Sequence, residues 1–114
     1  MAKLNKVLLI GNLTRDVELA MTNGGTPVST IGLAVNDVYH DREGNRNETV
    51  LFVDVTVFGR TAEACSTYIG KGSLVFVEGR MRRDEFTDRD GKPRSKLRIT
   101  AESVQFLDRK GGDE

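Results

Sequence analysis

The feature that most restricts the fold of this chain is a strict alternation over eight residues, from Leu51 to Phe58. Successive residues of a β-strand point to opposite faces, so the aliphatic side chains at every second position would share one face: Leu51, Val53, Val55 and Val57. The other face would carry Asp54 and Thr56 between Phe52 and Phe58. Exposed aromatic side chains mark contact surfaces, so the pattern predicts a strand with one face in a core and the other in a binding site.

Two earlier segments also have the patterns of strands. The run Val7–Ile10 is continuously apolar and ends at a Gly-Asn pair, which is typical of a strand buried on both faces. After a turn-forming cluster at 22–27, residues 31–36 alternate between large apolar and small or polar side chains, as in a half-buried strand. Polar residues from 40 to 47 predict a hairpin loop before the alternating segment.

The second half of the chain predicts one helix and two strands. A short helix fits 61–69, where four residues at helical spacing would form its apolar side: Ala62, Cys65, Tyr68 and Ile69. A strand over 73–86 and a last strand after a hairpin tip at 88–93 would point six residues inward: Val75, Val77, Met81, Leu97, Ile99 and Ala101. Because Val104 and Phe106 reverse the parity of the last strand, a bulge is expected near Ser103.

Five strands with one short helix between the third and the fourth is the layout of the oligonucleotide-binding barrel (OB-fold), an all-β fold. Closing the sheet into a barrel removes the two edges that a flat sheet of this length would leave unpaired. A chain of 114 residues has room for one such domain. We therefore expect the domain to cover 1–108 and a short, polar, disordered tail to occupy 109–114.

Basic residues are concentrated in one part of an otherwise balanced chain. The formal net charge is zero. Between Arg60 and Arg98, however, ten Lys and Arg residues stand against six Asp and Glu residues. A local excess of positive charge attracts a polyanion such as a nucleic acid, although an ordinary solvated surface would have the same composition.

Composition and motifs argue against a secreted, membrane-bound or catalytic protein. A single cysteine, no leader-like N-terminus and no apolar run of membrane-spanning length predict a soluble, cytoplasmic protein. The segment Gly70–Ser73 lacks the spacing of a phosphate-binding loop, and Asp88–Gly91 lacks the later ligands of a calcium loop. With His40 as the only histidine, neither a zinc site nor a His-based triad can be assembled. We expect no enzymatic activity, no metal and no cofactor.

Five sequence blocks, in order from residue 4 to residue 107, resemble those of bacterial single-stranded DNA-binding proteins. They are LNKVLLIGNLTRD at 4–16, Phe58–Arg60, Lys71–Ser73, VEGRMR at 77–82 and AESVQFL at 101–107. The resemblance implies a nucleoid-associated homotetramer around which single-stranded DNA wraps. It also implies a role in replication, recombination and repair that does not depend on base sequence.

The resemblance assigns roles to individual side chains. The base-stacking aromatics would be Tyr39, Phe52, Phe58 and Phe86, and the phosphate-binding cations would be Lys6, Arg42, Arg60, Lys71 and Arg82. The shared face of Phe52 and Phe58 supports part of this set independently. The alternative roles are core packing for Phe58, cover of the barrel mouth for Tyr39 and Phe86, and protection of a strand edge for Lys6.

The chain departs from the family in ring size, charge and length. It has no tryptophan, which the family frequently has at three of the four aromatic positions, so each base should stack more weakly. Asp54, Asp84 and Glu85 place carboxylates in the predicted site, where they should repel phosphate. The family's linker and acidic tip, which recruits replication and repair proteins, are missing after Lys110–Glu114. Whether the chain is truncated or naturally tailless, DNA binding is expected to persist without tail-mediated recruitment.

Two other functions fit the same pattern. An RNA-binding or primosome-assembly barrel would share the fold and the stacking surface, and would prefer RNA. A protein-interaction module would use the exposed phenylalanines to bind a partner, and would show no salt-dependent affinity for nucleic acid.

Overall fold

The computed structural model describes residues 2–107, which form six strands and one helix. The strands are β1 (Val7–Leu13), β2 (Ala20–Met21), β3 (Pro27–His40), β4 (Arg46–Phe58), β5 (Leu74–Thr87) and β6 (Pro93–Phe106), and the helix α1 (Gly59–Tyr68) connects β4 to β5. The expected tail at 109–114 lies outside the described residues.

The sheet closes into a barrel because β1 pairs with two different strands. The strand order is β1-β5-β6-β4-β3-β2. β1 runs antiparallel to β5 from Val7 to Asn12, and Asn12 and Leu13 also pair with β3. A short parallel ladder joins β4 to β6. The predicted five-stranded barrel is therefore confirmed, with the helix between its third and fourth long strands. The sequence pattern does not predict β2, a two-residue strand on the outer edge of β3.

The core fills the closed part of the barrel and lies against α1. Buried side chains come from all five long strands and from the helix, and the largest that are fully buried are Ile31, Leu33, Val55, Val57, Val75, Val77 and Cys65. The predicted inward face of the alternating segment is confirmed at Val55 and Val57, while Val53 is half-buried against the core.

Two hairpins extend beyond the core as arms. The first arm consists of the paired ends of β3 and β4 (residues 36–51), and the second of the paired ends of β5 and β6 (residues 82–97). Both faces of the arms are exposed along most of their length. Leu51 and Leu97 are therefore not inward residues, as the alternation predicts, and Leu97 is 65 % exposed. Met81, at the base of the second arm, is also exposed. These assignments are wrong because alternation identifies a face but not what covers it.

Three further predictions from the sequence, two on burial and one on strand register, can be compared with the structure. Val7–Ile10 is not buried on both faces, because Leu8 and Ile10 are more than half exposed on the outer side of β1. Tyr68 is also more than half exposed, and its ring lies 6.4 Å from that of Phe106 instead of in the core. The expected bulge is confirmed, since the register of β5 with β6 shifts so that Glu102 is the extra residue.

The tips of the two arms have the same turn. Asp41 and Asp88 each begin a five-residue loop, and the carboxylate Oδ1 of each accepts hydrogen bonds of 2.9 Å from the backbone N–H groups two and four residues later. Gly44 and Gly91 occupy the fourth position with φ angles of 84° and 79°. Only glycine adopts this left-handed conformation without a steric cost, so the Asp-x-x-Gly pattern defines both tips.

The burial of Ile31 predicts a large loss of stability on truncation. Ile31 lies in β3 and is 1 % exposed. Ile31→Ala removes buried methyl groups and leaves a cavity, so it should lower the free energy of unfolding by about 3 kcal/mol, as measured by urea denaturation. Leu4→Ala is the matched control, because Leu4 is almost fully exposed and should change that free energy by less than about 0.5 kcal/mol. Equal losses in the two variants would contradict the assigned core.

The carboxylates of Asp41 and Asp88 are expected to make a pH-dependent contribution to the stability of the fold. The pKa of Asp41 lies below its ordinary value of 3.8, chiefly because the backbone N–H of Asn45 donates to it. The pKa of Asp88 is also lowered from 3.8, chiefly by a 2.8 Å hydrogen bond from Arg94 Nε to Oδ2. A lowered folded-state pKa stabilises the fold above the unfolded-state pKa, and this contribution is lost as the pH falls through the folded-state value.

NMR titration of the side-chain carboxyl carbons measures these values directly. Both carboxyls should titrate below 3.8 in the folded protein. Arg94→Gln removes the charged donor to Asp88, so it should raise the pKa of Asp88 and leave that of Asp41 unchanged. An Asp88 that titrates at the same pH with and without Arg94 would show that the arginine does not determine its pKa.

Candidate nucleic-acid interface

Outward-facing side chains of β4, β6 and β5 form one surface, which we call the stacking face. Directly opposed residues of an antiparallel ladder point to the same side, and Arg82 opposes Arg98 while Phe86 opposes Arg94. β6 is joined to β4 where Thr56 pairs with Thr100. Alternation along the strands then defines the face: Phe52, Asp54, Thr56 and Phe58 from β4, Arg94, Lys96, Arg98 and Thr100 from β6, and Arg82, Asp84 and Phe86 from β5.

Three of the four predicted aromatic residues lie on the stacking face. Phe52 is 71 % exposed, and Phe86 is about half exposed on the second arm. Phe58 is 39 % exposed and lies outside the buried core, where it lines a small depression with Arg82 and Arg98. The face therefore offers three aromatic rings to solvent, with guanidinium groups beside at least one of them.

Tyr39 is not on the same side of the first arm as Phe52. It pairs with Asn47, in register with the pair formed by Val35 and Leu51. Residues at these positions share the opposite side of the arm, since side chains alternate along both strands. Tyr39 is about half exposed, so it is accessible to a ligand that passes around the arm. Its stacking role stays a prediction.

The structure brings one of the five predicted cations, Arg82, onto the stacking face. Arg60 lies two residues after Phe58, in the first turn of α1, and is exposed. Lys71 lies in the turn after α1, and Arg42 lies in the turn at the tip of the first arm, both exposed. None of these three residues is part of the stacking face.

Lys6 differs from the other predicted cations because its charge is compensated within the chain. Its Nζ lies 2.7 Å from Glu78 Oε2 and 3.5 Å from Glu102 Oε1. The hydrogen bond with Glu78 is the main reason why the pKa of Lys6 is raised. A phosphate would have to compete with two carboxylates for this ammonium group.

Sequence reasoning missed five basic residues at or near the stacking face: Arg15, Arg89, Arg94, Lys96 and Arg98. The alternation of the last strand already points Lys96 and Arg98 outward. Arg89 occupies the same position in its turn as Arg42 does in the other, so the repeated aromatic-x-Asp-Arg pattern would have identified it. Arg15 follows β1 and reaches the face only through tertiary contacts, for which the sequence has no local signal.

Two carboxylates of the stacking face are paired with arginines. Asp54 Oδ1 lies 3.3 Å from Arg15 Nη2. Asp84 Oδ2 lies 2.6 Å from Arg98 Nε, although the N–H is not aligned with that oxygen, so this contact is a charge pair and not a hydrogen bond. The expected repulsion of phosphate by Asp54 and Asp84 is therefore partly offset within the chain.

Other chemistry has little support within residues 2–107. No group of three or more His, Cys, Asp or Glu side chains in this range could hold a metal ion. The Cys65 thiol is fully buried, and burial raises its pKa to about 11, which disfavours the nucleophilic thiolate. No helix in the described part of the chain is long and apolar enough to span a membrane.

Comparison with solved structures supports the barrel. An SSB of Plasmodium falciparum in complex with ssDNA matches 95 % of this chain and 98 % of its own at a TM-score of 0.84, and at 24 % identity it shows the fold alone. A deletion mutant of the single-stranded DNA binding protein from Thermus aquaticus matches 92 % of this chain and 51 % of its own, with 34 % identity and a TM-score of 0.82.

Comparison of sequences identifies the family. Single-stranded DNA-binding proteins of Wolinella succinogenes and Helicobacter hepaticus are 47 % and 49 % identical to 96 % of this chain. The chain spans 68 % and 65 % of their respective lengths, about two thirds of each relative. The model of the single-strand binding protein family matches residues 4–107. The chain belongs to the single-strand binding protein family.

Proposed function

We propose that this chain binds single-stranded DNA by stacking bases on the stacking face, in replication, recombination and repair. The observation that carries the proposal is the presence of three exposed phenylalanines on one surface, Phe52, Phe58 and Phe86. Every base has a π-face, so aromatic stacking is tolerant of sequence and contributes about 1–3 kcal/mol per base. In a duplex the base faces are already stacked on each other, so the same surface selects single strands.

Basic side chains around the face would pair with the phosphates of the strand. Arg82 and Lys96 lie on the face itself, while Arg42, Arg60 and Lys71 are exposed outside it and would guide the strand onto and off the rings. Each phosphate contact releases bound counterions, so affinity should fall with salt. We assign Lys6 a smaller part, since Glu78 and Glu102 already hold its ammonium group. Tyr39 would stack a base only where the strand passes to the other side of the first arm.

We infer a binding role and not a catalytic one, in a domain that we place at 1–108. The buried Cys65 thiol is a poor nucleophile. The single histidine, His40, ends β3 at the tip of an exposed arm and not in a cleft. A DNA-binding protein of this kind would act in the cytoplasm, at the nucleoid.

We further propose that copies of the chain assemble as a homotetramer through the outer side of β1. Leu8 and Ile10 are exposed there, beside the half-buried Phe76 of β5, which pairs with Ile10. β3 pairs with β1 only at Asn12 and Leu13 and approaches it closely at Gly11, so the other edge of β1 is open from Val7 to Ile10. An open strand edge next to an exposed apolar patch is a surface that another chain can cover.

Binding of a labelled oligo-dT tests the proposed function. Fluorescence anisotropy should show tight binding that weakens with salt and that duplex DNA does not displace. Phe52→Ala removes one stacking ring and should weaken binding by about 1–3 kcal/mol. Tyr68→Ala is the matched control, because Tyr68 is an exposed aromatic residue away from the stacking face. Binding that is equal for duplex and single strand would refute the proposal, and displacement by RNA at lower concentrations than DNA would favour an RNA-binding barrel.

Light scattering after size-exclusion chromatography tests the assembly. Ile10→Glu places a carboxylate in the apolar patch of β1, so the molar mass should fall from that of a tetramer to that of a smaller species. Met21→Glu is the control, since Met21 is an exposed apolar residue on β2, away from the patch. A tetramer that withstands Ile10→Glu, or that Met21→Glu disrupts equally, would show that the interface lies elsewhere.

A further inference from the structure

A carboxylate lies on the stacking face beside its exposed rings. Asp54 lies between Phe52 and Phe58 along β4, and its side chain is 55 % exposed. It lines a cleft of about 490 Å³ between β4 and β6, together with Arg15 and Phe52 on one side and Lys96 and Leu97 on the other. A base stacked on Phe52 would therefore have Asp54 within the same cleft.

The tertiary structure holds Arg15 against this carboxylate. Arg15 Nη2 lies 3.3 Å from Asp54 Oδ1 and donates to the backbone carbonyl oxygen of Thr30, also at 3.3 Å. The guanidinium group lies over Gly32, which is opposite Asp54 in the β3–β4 ladder. A Cβ at position 32 would overlap Arg15 Nη1 and Thr14 Oγ1. The absence of a side chain at Gly32 thus provides the space in which an arginine and a carboxylate lie side by side, next to an exposed ring.

The charge of Asp54 restricts which part of a DNA strand can lie over it. A carboxylate repels phosphate and accepts hydrogen bonds without donating any, so a base edge with N–H donors is the favoured neighbour. The exocyclic amino groups of cytosine, adenine and guanine are such donors, and Arg15 can donate to the ring nitrogen or carbonyl oxygen beside them. Thymine has one N–H between two carbonyl oxygens, and a carboxylate that accepts from it lies against those oxygens as well.

We propose that Asp54 and Arg15, beside Phe52, form a base-edge subsite that selects bases with an exocyclic amino group over thymine. The proposal rests on the proposed function, since it requires that a base stack on Phe52. Such a subsite would distinguish between bases at one position, while the rest of the stacking face accepts any base. Lys96, across the cleft, would pair with the phosphate of the same nucleotide.

Two oligonucleotides of equal length test the subsite, one of thymidine and one of 5-methyl-deoxycytidine. Their rings have the same size and the same methyl group, so they differ only in the edge that Asp54 would read. Dissociation constants are measured by anisotropy at one pH and salt concentration for the wild-type protein and for Asp54→Asn. The amide can donate as well as accept, so the preference for 5-methylcytosine over thymine should fall by at least about fivefold, the low end for a base-edge contact.

Asp84→Asn is the control variant, because it removes a carboxylate from the same face that is also paired with an arginine. Loss of the Asp84 charge should change binding to both oligonucleotides alike, so only Asp54→Asn should change the ratio of the two dissociation constants. A ratio that is the same in the wild-type protein and Asp54→Asn, or that Asp84→Asn changes equally, overturns the subsite while the proposed function stands. Failure of the wild-type protein to bind either oligonucleotide overturns both.

Discussion

Closure of the barrel depends on the close approach of β1 to β3 at Gly11. A Cβ at this position would lie 2.6 Å from the carbonyl oxygen of Ala34, so no side chain fits between the two strands there. The contact allows Asn12 and Leu13 to pair with β3 while the earlier residues of β1 pair with β5. Further hydrogen bonds extend the junction, from Thr14 N to Gly32 O and from Leu13 N to Ser73 O, both at 2.9 Å. The two arms extend from this closed ring, and the stacking face runs from the ring onto the arms.

Local ion pairs explain how a chain with no net charge can offer a surface to a polyanion. Two acidic side chains of the stacking face are paired with neighbouring arginines, Asp54 with Arg15 and Asp84 with Arg98. Such half-exposed pairs contribute little to stability. They do reduce the repulsion that a phosphate would meet. Arg82 and Lys96, on the same face, take part in none of the ion pairs found within residues 2–107, so their positive charges remain free for a phosphate. The local balance of charge, and not the total, determines what can bind.

Much of the fold could be predicted from the sequence, because alternation and turn residues are local signals. The inward face of Val55 and Val57, both hairpins and the bulge near Ser103 follow from them. Burial could not be predicted in the same way, because it depends on what packs on a face. Leu97 and Ile10 have core-like patterns and yet are exposed, one on an arm and one on the outside of β1. The same holds for the site. The shared face of Phe52 and Phe58 could be predicted from alternation along β4, whereas the position of Arg15 depends on a tertiary contact with Gly32, which is distant in sequence.

The identical turns at the two arm tips have a consequence for how such barrels change length. Because each tip is defined by its own Asp-x-x-Gly loop, the arm behind it can grow without disturbing either the loop or the core. Inserting two residues in each strand would lengthen an arm by about 6.8 Å and keep every side chain on its original side. Inserting one residue in each strand would turn Phe86 or Tyr39 to the opposite side. Insertions and deletions that preserve function should therefore come in steps of two residues per strand. The length of an arm, and so the stretch of nucleic acid that it can contact, would then change in steps of about 6.8 Å.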